Sequence, residues 1–422
     1  MTNNLFLFRN LFIIVAGTLS WISANCQTGS TSPYSRYGIG EIISEGFIHQ
    51  TGMGGLGAGL ATPFNINYIN PASLIADSIV VFEAGARGEI RKLEKSGKST
   101  NLNSATFSYL SLAFPIVKGK VALAFGLLPV SSVGYDIITS ENKENIGVIR
   151  YKYEGEGGFN KFFLSTGVKL TKTLSAGLNV SYLFGTIDNV KSVEFPGGTN
   201  YYSSRYINAV TANGFNFDYG ILYQKPIKNN LIFRAGVTGT ISTKVNATNS
   251  TYYYNYTISP FGGEIVKDSI FNETKKKGTI QLPMNIRGGF TLERPEKWQA
   301  GIDFVYNNWE NYKNFNSEDT LPNSYSLIAG AQKFTNHIDY RIGARYTNSY
   351  LDLKETRLDD VSVTVGIAIK KLFPKRPPSA INFAIELGQR GTIDNELIRE
   401  QYIKFHLGFT LTDIWFIQPK YD

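Results

Sequence analysis

The 422-residue chain has a single cysteine, Cys26, and therefore no partner for an intramolecular disulfide. Its three histidines, His49, His337 and His406, lie far apart in sequence without metal-site spacing, so we predict no enzyme and no cofactor. A Ser, His and acid set assembled only in space would escape this reasoning. The net charge is +8, but the basic residues are scattered rather than gathered in a stripe, which argues against nucleic acid as a partner.

Long apolar segments are also missing. The apolar run at residues 11–22 is too short for a membrane-spanning helix. It follows Arg9 and precedes a stretch of small and polar residues that ends at Cys26, which is the order of a secretory signal peptide. We predict that residues 1–26 are cleaved off, together with the thiol. The alternative is a lipoprotein in which Cys26 is acylated.

The chain has instead a strict alternation of apolar and polar residues over stretches of about ten residues. In residues 361–370, valine or isoleucine at every odd position alternates with serine, threonine, glycine, alanine and lysine. Residues 381–388 and 403–411 have the same period. Period two is typical of β-strands with one apolar and one polar face, which occur in soluble sandwiches and in membrane barrels.

The connections between these stretches favour the membrane barrel. Tight links alternate with long polar excursions at 136–157, 188–207 and 246–278, which is the asymmetry of an outer-membrane barrel. We count about fourteen strands, an even number that returns the C-terminus to the side of the N-terminus. We predict an all-β transmembrane antiparallel barrel at residues 78–411 and a periplasmic tail at 412–422, with both termini periplasmic.

Charged residues on the polar faces of the strands are predicted to point into the lumen. Both signs occur among them, so the sequence predicts no strong ion selectivity. Each can be a solvated wall residue or part of a salt bridge, and we favour these structural roles over a role in transport. The predicted lumen residues are Glu83, Arg87, Glu89, Arg91, Asp303, Arg341, Arg345 and Glu386.

Residues 27–77 are rich in glycine and do not alternate. Gly52, Gly54 and Gly57 have the spacing of a dinucleotide-binding fingerprint, but the strand, helix and parallel sheet that this fingerprint requires are not evident around them. Small residues let a backbone pack closely against a wall. We therefore predict that residues 27–77 form a compact hatch inside the barrel.

Short motifs carry a family resemblance. Residues 32–38 read Ser-Pro-Tyr-Ser-Arg-Tyr-Gly, residues 155–161 read Gly-Glu-Gly-Gly-Phe-Asn-Lys, and the glycine-rich stretch is followed by Asn70, Pro71, Ala72 and Ser73. With a signal peptide, a hatch and about fourteen strands in this order, the chain resembles the FadL-type outer-membrane transport proteins. The first two motifs resemble the branch found in Bacteroidetes-type bacteria. The resemblance implies that the hatch blocks the lumen and that hydrophobic molecules pass from an outer vestibule to a lateral gap in the wall.

The third predicted strand contains Pro129, which cannot donate a ladder hydrogen bond, and Gly126, which tolerates a bend. We expect these residues to mark a local break in pairing with a neighbouring strand. The resemblance implies that a kink in this strand opens the lateral gap. A harmless bulge near the outer rim is the alternative.

The resemblance leaves two functions open, passive uptake of hydrophobic small molecules or an accessory, docking role in the type IX protein secretion machinery. Tyrosines in the excursion at 246–278 are suited to gather a ligand, to dock a partner or to form an aromatic girdle. Outer-membrane lipid, lipopolysaccharide and a hydrophobic small molecule are the predicted partners, with secretion-system proteins in the second reading. We favour uptake because a hatch and a kinked strand are both predicted.

Overall fold

The structure, a computed structural model, describes residues 29–44, 46–196, 201–259, 261, 263–315, 321–370 and 379–414. The predicted signal peptide and residues 415–422 of the predicted tail lie outside this part. None of the helices in the described residues combines the length and the apolar character needed to span a membrane.

Fourteen antiparallel strands form one closed barrel, as the alternation predicted. Three of the strands, β3, β7 and β8, consist of two parts each. The strands are β1 (Val80–Lys95), β2 (Lys98–Val117), β3 (Val121–Pro129 and Ser131–Lys143), β4 (Gly147–Lys169), β5 (Leu174–Glu194), β6 (Ser203–Ile227), β7 (Leu231–Thr240 and Lys244–Ile258), β8 (Glu264–Gln281 and Met284–Arg294), β9 (Trp298–Asn308), β10 (Ser324–Lys333), β11 (Ile338–Leu353), β12 (Thr356–Lys370), β13 (Ala380–Arg390) and β14 (Arg399–Asp413).

The barrel closes between its last and first strands. β14 pairs with β1 from Arg399 opposite Glu94 to Asp413 opposite Val80, so the ladder of hydrogen bonds returns to its start. The last strand therefore continues two residues past the boundary predicted for the barrel. Short helices at Lys228–Asn230, Trp309–Asn311 and Asp394–Glu396 and a two-residue strand at Lys313–Asn314 lie in the connections.

The apolar faces of the strands point away from the barrel. In β12, Val361 and Val365 are 51% and 57% exposed. Ser362 and Thr364, which alternate with them, are each 2% exposed. Side chains in neighbouring strand positions point to opposite faces of a sheet, so the polar residues fill the interior and the apolar ones cover the outside. This is the arrangement of a barrel in lipid, not of a sandwich with an apolar core.

The two rims differ, but not in the way that the sequence predicted. Turns of three or four residues connect β2 to β3, β4 to β5, β6 to β7, β8 to β9 and β10 to β11. The excursions predicted as long loops at 136–157, 188–207 and 246–278 are mostly strand, and their ladders reach Lys143 opposite Gly147 and Ile258 opposite Glu264. The prediction was wrong because alternation disappears where both faces of a strand meet water.

The N-terminal segment lies inside the barrel as two parts. We call residues 29–44 the strap and residues 46–77 the plug. The strap contains a short helix, Pro33–Arg36, and a two-residue strand, Glu41–Ile42, and the plug contains the helices Ile48–Thr51 and Pro71–Ala76. Most plug side chains are buried, among them Met53, Leu56, Leu60, Ile66 and Leu74, whereas Pro63 and Phe64 are exposed.

Candidate functional site

The plug is seated against glycines of the wall. Side chains on Gly167 of β4, Gly177 of β5 or Gly220 of β6 would collide with Asn70, Pro71 or Ala72. On the opposite side of the barrel, Gly330 of β10 and Gly343 of β11 contact Met53 and Gly54 in the same way. Glycine at these wall positions lets the plug backbone approach within contact distance of the strands.

Asn70 joins the plug to the wall. Its side-chain oxygen accepts a hydrogen bond from the backbone N–H of Ala72 at 3.1 Å and so caps the helix Pro71–Ala76. Its amide donates to the backbone oxygens of Ala58 at 2.6 Å and Ile221 of β6 at 3.3 Å. Ser73 donates from its hydroxyl to the carbonyl of Asn70 at 2.7 Å. The Asn-Pro-Ala-Ser motif thus connects the helix Pro71–Ala76 to the rest of the plug and to β6 of the wall.

Carboxylates of the wall bind the plug. Asp303 of β9 accepts hydrogen bonds from the backbone N–H groups of Gly57 at 2.8 Å and Ala58 at 2.9 Å, and it pairs with Arg287 of β8 at 2.7 Å. Glu83 of β1 accepts from the amide of Asn65 at 2.8 Å. Because buried charges are costly unless paired and hydrogen-bonded, these contacts fix the plug in one position.

A cluster of buried charges binds the strap. Arg91 of β1 is fully buried and pairs with Glu41 of the strap at 2.9 Å, Glu89 at 2.5 Å and Glu400 of β14 at 2.6 Å. Arg390 of β13 reaches Glu41 at 3.1 Å. Burial by itself would raise the pKa of Glu41, but the positive charges of Arg91 and Arg390 hold this pKa well below its usual value. Glu41 is therefore ionised at neutral pH.

The other predicted lumen residues also lie inside the wall. Arg341 is buried and donates to Asn382 at 2.7 Å, while its side chain packs beside Gly52 of the plug. Arg345 pairs with Glu386. Arg87 donates to the carbonyl oxygen of Gly29 at 3.2 Å. The sequence suggested wall residues or wall salt bridges, and reasoning from it missed that Asp303, Glu83, Arg87 and Arg91 bind the N-terminal segment.

The ladder between β2 and β3 is incomplete. Its last pair is Leu110 with Leu127, and no pairing joins residues 98–109 of β2 to residues 131–143 of β3, all of which are described. On its other side β3 stays paired with β4 through Pro129 opposite Asn160. Gly126 is paired on both sides, and a side chain there would collide with Leu110 and Phe163. The interruption thus follows Leu127, and Pro129 ends the first part of β3.

The strap lies along this ladder break. Glu41 and Ile42 pair antiparallel with Ser132 and Ser131, and the N–H of Ile43 donates to the carbonyl of Val130 at 3.0 Å. The start of the strap, Gly29, lies between the two unpaired edges. A side chain on Gly29 would lie 2.7 Å from the hydroxyl of Ser132 and 3.5 Å from that of Thr106 on β2.

A cavity of about 360 Å³ separates strap from plug and reaches the ladder break. Its lining includes Ile39 and residues 41–44 of the strap and Phe47 and Ile48 of the plug. Leu128, Pro129 and Val130 of β3 line the cavity where the ladder is broken. Basic groups, including Arg87 and Lys404, also face it. The cavity can hold a small molecule with a large apolar part.

The β7–β8 hairpin forms the other notable feature of the rim. Residues 264–278 of β8 pair with β7, but within the described part of the chain no strand pairs with their other edge. Three register shifts interrupt the β7–β8 ladder, each with an extra residue in β8. The hairpin carries exposed apolar side chains, among them Ile258, Phe261, Ile265, Val266 and Phe271.

The BamG family model matches residues 7–422. This chain belongs to the BamG family. No curated protein matches it. Among the described residues of this BamG-family chain, no group of three or more His, Cys, Asp or Glu side chains is placed to hold a metal ion.

Solved structures share the fold of the BamG-family chain. The toluene transporter TodX of Pseudomonas putida is 16% identical, with a TM-score of 0.59 over 89% of this chain and 100% of TodX. The monoaromatic hydrocarbon channel CymD is 13% identical, with a TM-score of 0.58 over 90% of this chain and 99% of CymD. A FadL homologue of Pseudomonas aeruginosa is 11% identical, with a TM-score of 0.58 over 88% of this chain and 99% of the homologue. The chain has the fold of these FadL-like outer-membrane barrels.

Proposed function

We propose that this chain is an outer-membrane channel for the passive uptake of hydrophobic small molecules, which leave the lumen sideways between β2 and β3. The observation that carries the proposal is the cavity, whose lining includes Leu128, Pro129 and Val130, where the ladder is broken. A closed barrel otherwise leaves no strand edge for a lateral route. The substrate class is supported by TodX, which is a toluene transporter, and by CymD, which is a monoaromatic hydrocarbon channel.

In this proposal the plug prevents straight passage along the barrel axis. It is seated on wall glycines and bound by Asp303, so a molecule that enters the cavity has its shortest exit through the wall. Asn70, Pro71, Ala72 and Ser73 act as the hatch motif that holds the plug in place, and Gly126 and Pro129 shape the exit. The short-turn rim and both termini face the periplasm, and the long hairpins face lipopolysaccharide. The chain performs no catalysis.

Uptake of the hydrophobic fluorophore N-phenyl-1-naphthylamine by intact cells tests this function. Cells that carry the chain take the fluorophore up faster than cells that lack it. Ser108→Trp, which fills the cavity beside the ladder break, reduces uptake to the level of cells without the chain. The matched control Ser99→Trp changes an exposed position on the same strand and leaves uptake unchanged. Equal uptake with and without the wild-type chain contradicts the proposal.

The exposed apolar side chains of the β7–β8 hairpin favour a second candidate, a docking barrel for partner proteins. The partners in this case are subunits of the type IX secretion machinery or, as the family name BamG hints, factors related to barrel assembly. We also propose that the chain belongs to the Bacteroidetes-type branch, on the motifs at 32–38 and 155–161. Purification of the tagged protein from detergent-solubilised outer membranes, with mass spectrometry of co-purifying proteins and lipids, distinguishes docking from uptake.

A further inference from the structure

The free edge of β3 already has a partner, and that partner comes from the chain itself. Where β2 stops pairing, Glu41 and Ile42 of the strap take its place against Ser132 and Ser131. Ile43 adds a hydrogen bond to Val130 at 3.0 Å. The unpaired backbone groups of a strand edge bind another extended segment readily, and here the strap satisfies those at the start of the break, from Val130 to Ser132.

We propose that the strap, residues 29–44, is removable and closes the β2–β3 ladder break, with Glu41, held between Arg91 and Arg390, as its latch. The proposal rests on the proposed lateral exit and describes how that exit is kept shut. It concerns the strap alone, because the plug is fixed by wall contacts around the barrel.

The contacts of the strap with the edges of the break are few and local. They comprise the two paired strand residues, the backbone hydrogen bond from Ile43, a hydrogen bond from the backbone N–H of Gly134 to the hydroxyl of Ser35 at 3.1 Å, and the position of Gly29 between Thr106 and Ser132. No large apolar strap side chain is inserted between β2 and β3 at these contacts. Two other strap side chains are buried, Tyr34 in a cluster with Leu358 and Ile39 in a cluster with Val133, so the strap leaves the wall only when these local contacts open as well.

The ionic contacts of the strap are strong by comparison. Glu41 receives two hydrogen bonds from Arg91, at 2.9 and 3.0 Å, and one from Arg390 at 3.1 Å. Arg91 and Arg390 belong to the wall, on β1 and β13, so these bonds join the strap to strands that do not move with it. Loss of the Glu41 charge removes the attraction on the strap and leaves the wall pairs of Arg91 with Glu89 and Glu400 in place.

Cysteine labelling measures strap removal without reference to transport. Ser132 is 6% exposed and its hydroxyl lies under Gly29, so a cysteine there reacts only when the strap has left. The background carries Cys26→Ala, because Cys26 is the only native cysteine. The folded protein in outer membranes is treated with a membrane-impermeant maleimide, and the labelling rate of Ser132→Cys is followed with time.

Glu41→Gln is expected to raise the labelling rate of Ser132→Cys several-fold. The matched control is Glu89→Gln, which removes a carboxylate from the same Arg91 but from the wall rather than the strap, and it leaves the rate unchanged. If Glu41→Gln does not fold, Ile43→Pro removes the hydrogen bond to Val130 without touching the buried charges and is expected to raise the rate as well.

Equal labelling in wild type and in the folded strap variant overturns the proposal, and so does an equal rise in Glu89→Gln. A disulfide adds the link to function. Ile42→Cys with Ser131→Cys places two cysteines directly opposite each other in register, and oxidation abolishes uptake of N-phenyl-1-naphthylamine while reduction restores it. Absence of uptake in wild type refutes the channel alone, whereas uptake that survives oxidation refutes the strap.

Discussion

In the described part of the barrel, two strands have long edges that the neighbouring strand leaves unpaired, and these two edges differ in what covers them. At the β2–β3 ladder, the edge of β3 is paired at Ser131 and Ser132 by the strap from inside the barrel. At the β8–β9 ladder, residues 264–278 of β8 have no such partner among the described residues. The second edge instead carries three extra residues that bulge the strand and a run of lysines at 275–277.

One barrel thus has a strand edge that pairs with another segment and a second strand edge that is protected from pairing. Bulges and lysines on an edge strand are the features by which natural sheets avoid pairing with other chains. The β3 edge has a regular register with β4 through residues 133–143 and pairs with a segment of the same chain. An edge that is covered reversibly can act as an exit, whereas a blunted edge serves only to end the sheet.

The largest effect is expected where the covered edge is held by charge. Arg91→Ala leaves Glu41, Glu89 and Glu400 without their common partner in a buried site. Removal of one partner of a buried ion pair costs about 3–5 kcal/mol. The free energy of unfolding, measured by urea titration in lipid vesicles, is expected to fall by this amount.

The control for this prediction lies at the end of the same ladder. Arg399→Ala removes a 2.8 Å pair with Glu94 that is about a third exposed on the arginine side. Exposed pairs contribute about 0–1 kcal/mol. Equal losses in the two variants would show that the cluster around Arg91 contributes no more than an ordinary surface pair.

A smaller effect is expected from the seat of the plug. Gly236→Val places a side chain against the carbonyl of Ala58, whereas Gly88→Val meets no atom within 4 Å. Overpacking of a filled interior costs about 1–3 kcal/mol. The Gly236 variant is expected to show this loss and the Gly88 variant none, as measured by thermal unfolding of the detergent-solubilised barrels. Equal stability of both variants would mean that the plug is free to shift away from the wall.

At the unpaired edge of β8 we expect a change in self-association, with little change in stability. Replacement of Lys275, Lys276 and Lys277 by threonine, valine and threonine removes charges that oppose pairing with another chain. The triple variant is expected to self-associate in detergent, as measured by light scattering after size-exclusion chromatography. Lys118→Thr with Lys120→Thr in the β2–β3 turn is the control and stays monodisperse. A monodisperse triple variant would assign the protection of the edge to the bulges alone.

The smallest effect is expected for the ion pair on the β8 hairpin. Arg205 of β6 pairs with Glu264 at 2.7 Å, and the two side chains are 20% and 40% exposed. Because water and salt screen such a pair, Arg205→Ala is expected to cost at most about 1 kcal/mol. A loss as large as that of Arg91→Ala, in the same urea titration, would remove the contrast between the two edges.

The sequence predicted the strands of the barrel wall better than the contacts of the strap and plug inside it. Fourteen strands follow from alternation alone, because lipid outside and polar groups inside impose period two on every strand that crosses the membrane. The strands of the long hairpins were not predicted from alternation, because both faces of these hairpins meet water. The interior was predicted only in part. Asp303 and Arg91 were predicted to face the lumen, but their contacts with Gly57 and Glu41 were not. These contacts join positions far apart in sequence, and no local pattern encodes such pairs.

A cryo-electron microscopy map of the protein in lipid nanodiscs is the sharpest test of whether the strap closes the β2–β3 break. We expect a β2–β3 ladder that ends at Leu110 and Leu127, with Glu41 and Ile42 paired to Ser132 and Ser131 at the break. A β2–β3 ladder that continues from Leu110 up to the β1–β2 turn at Lys98, with the strap unpaired from Ser131 and Ser132, would contradict closure of the break by the strap.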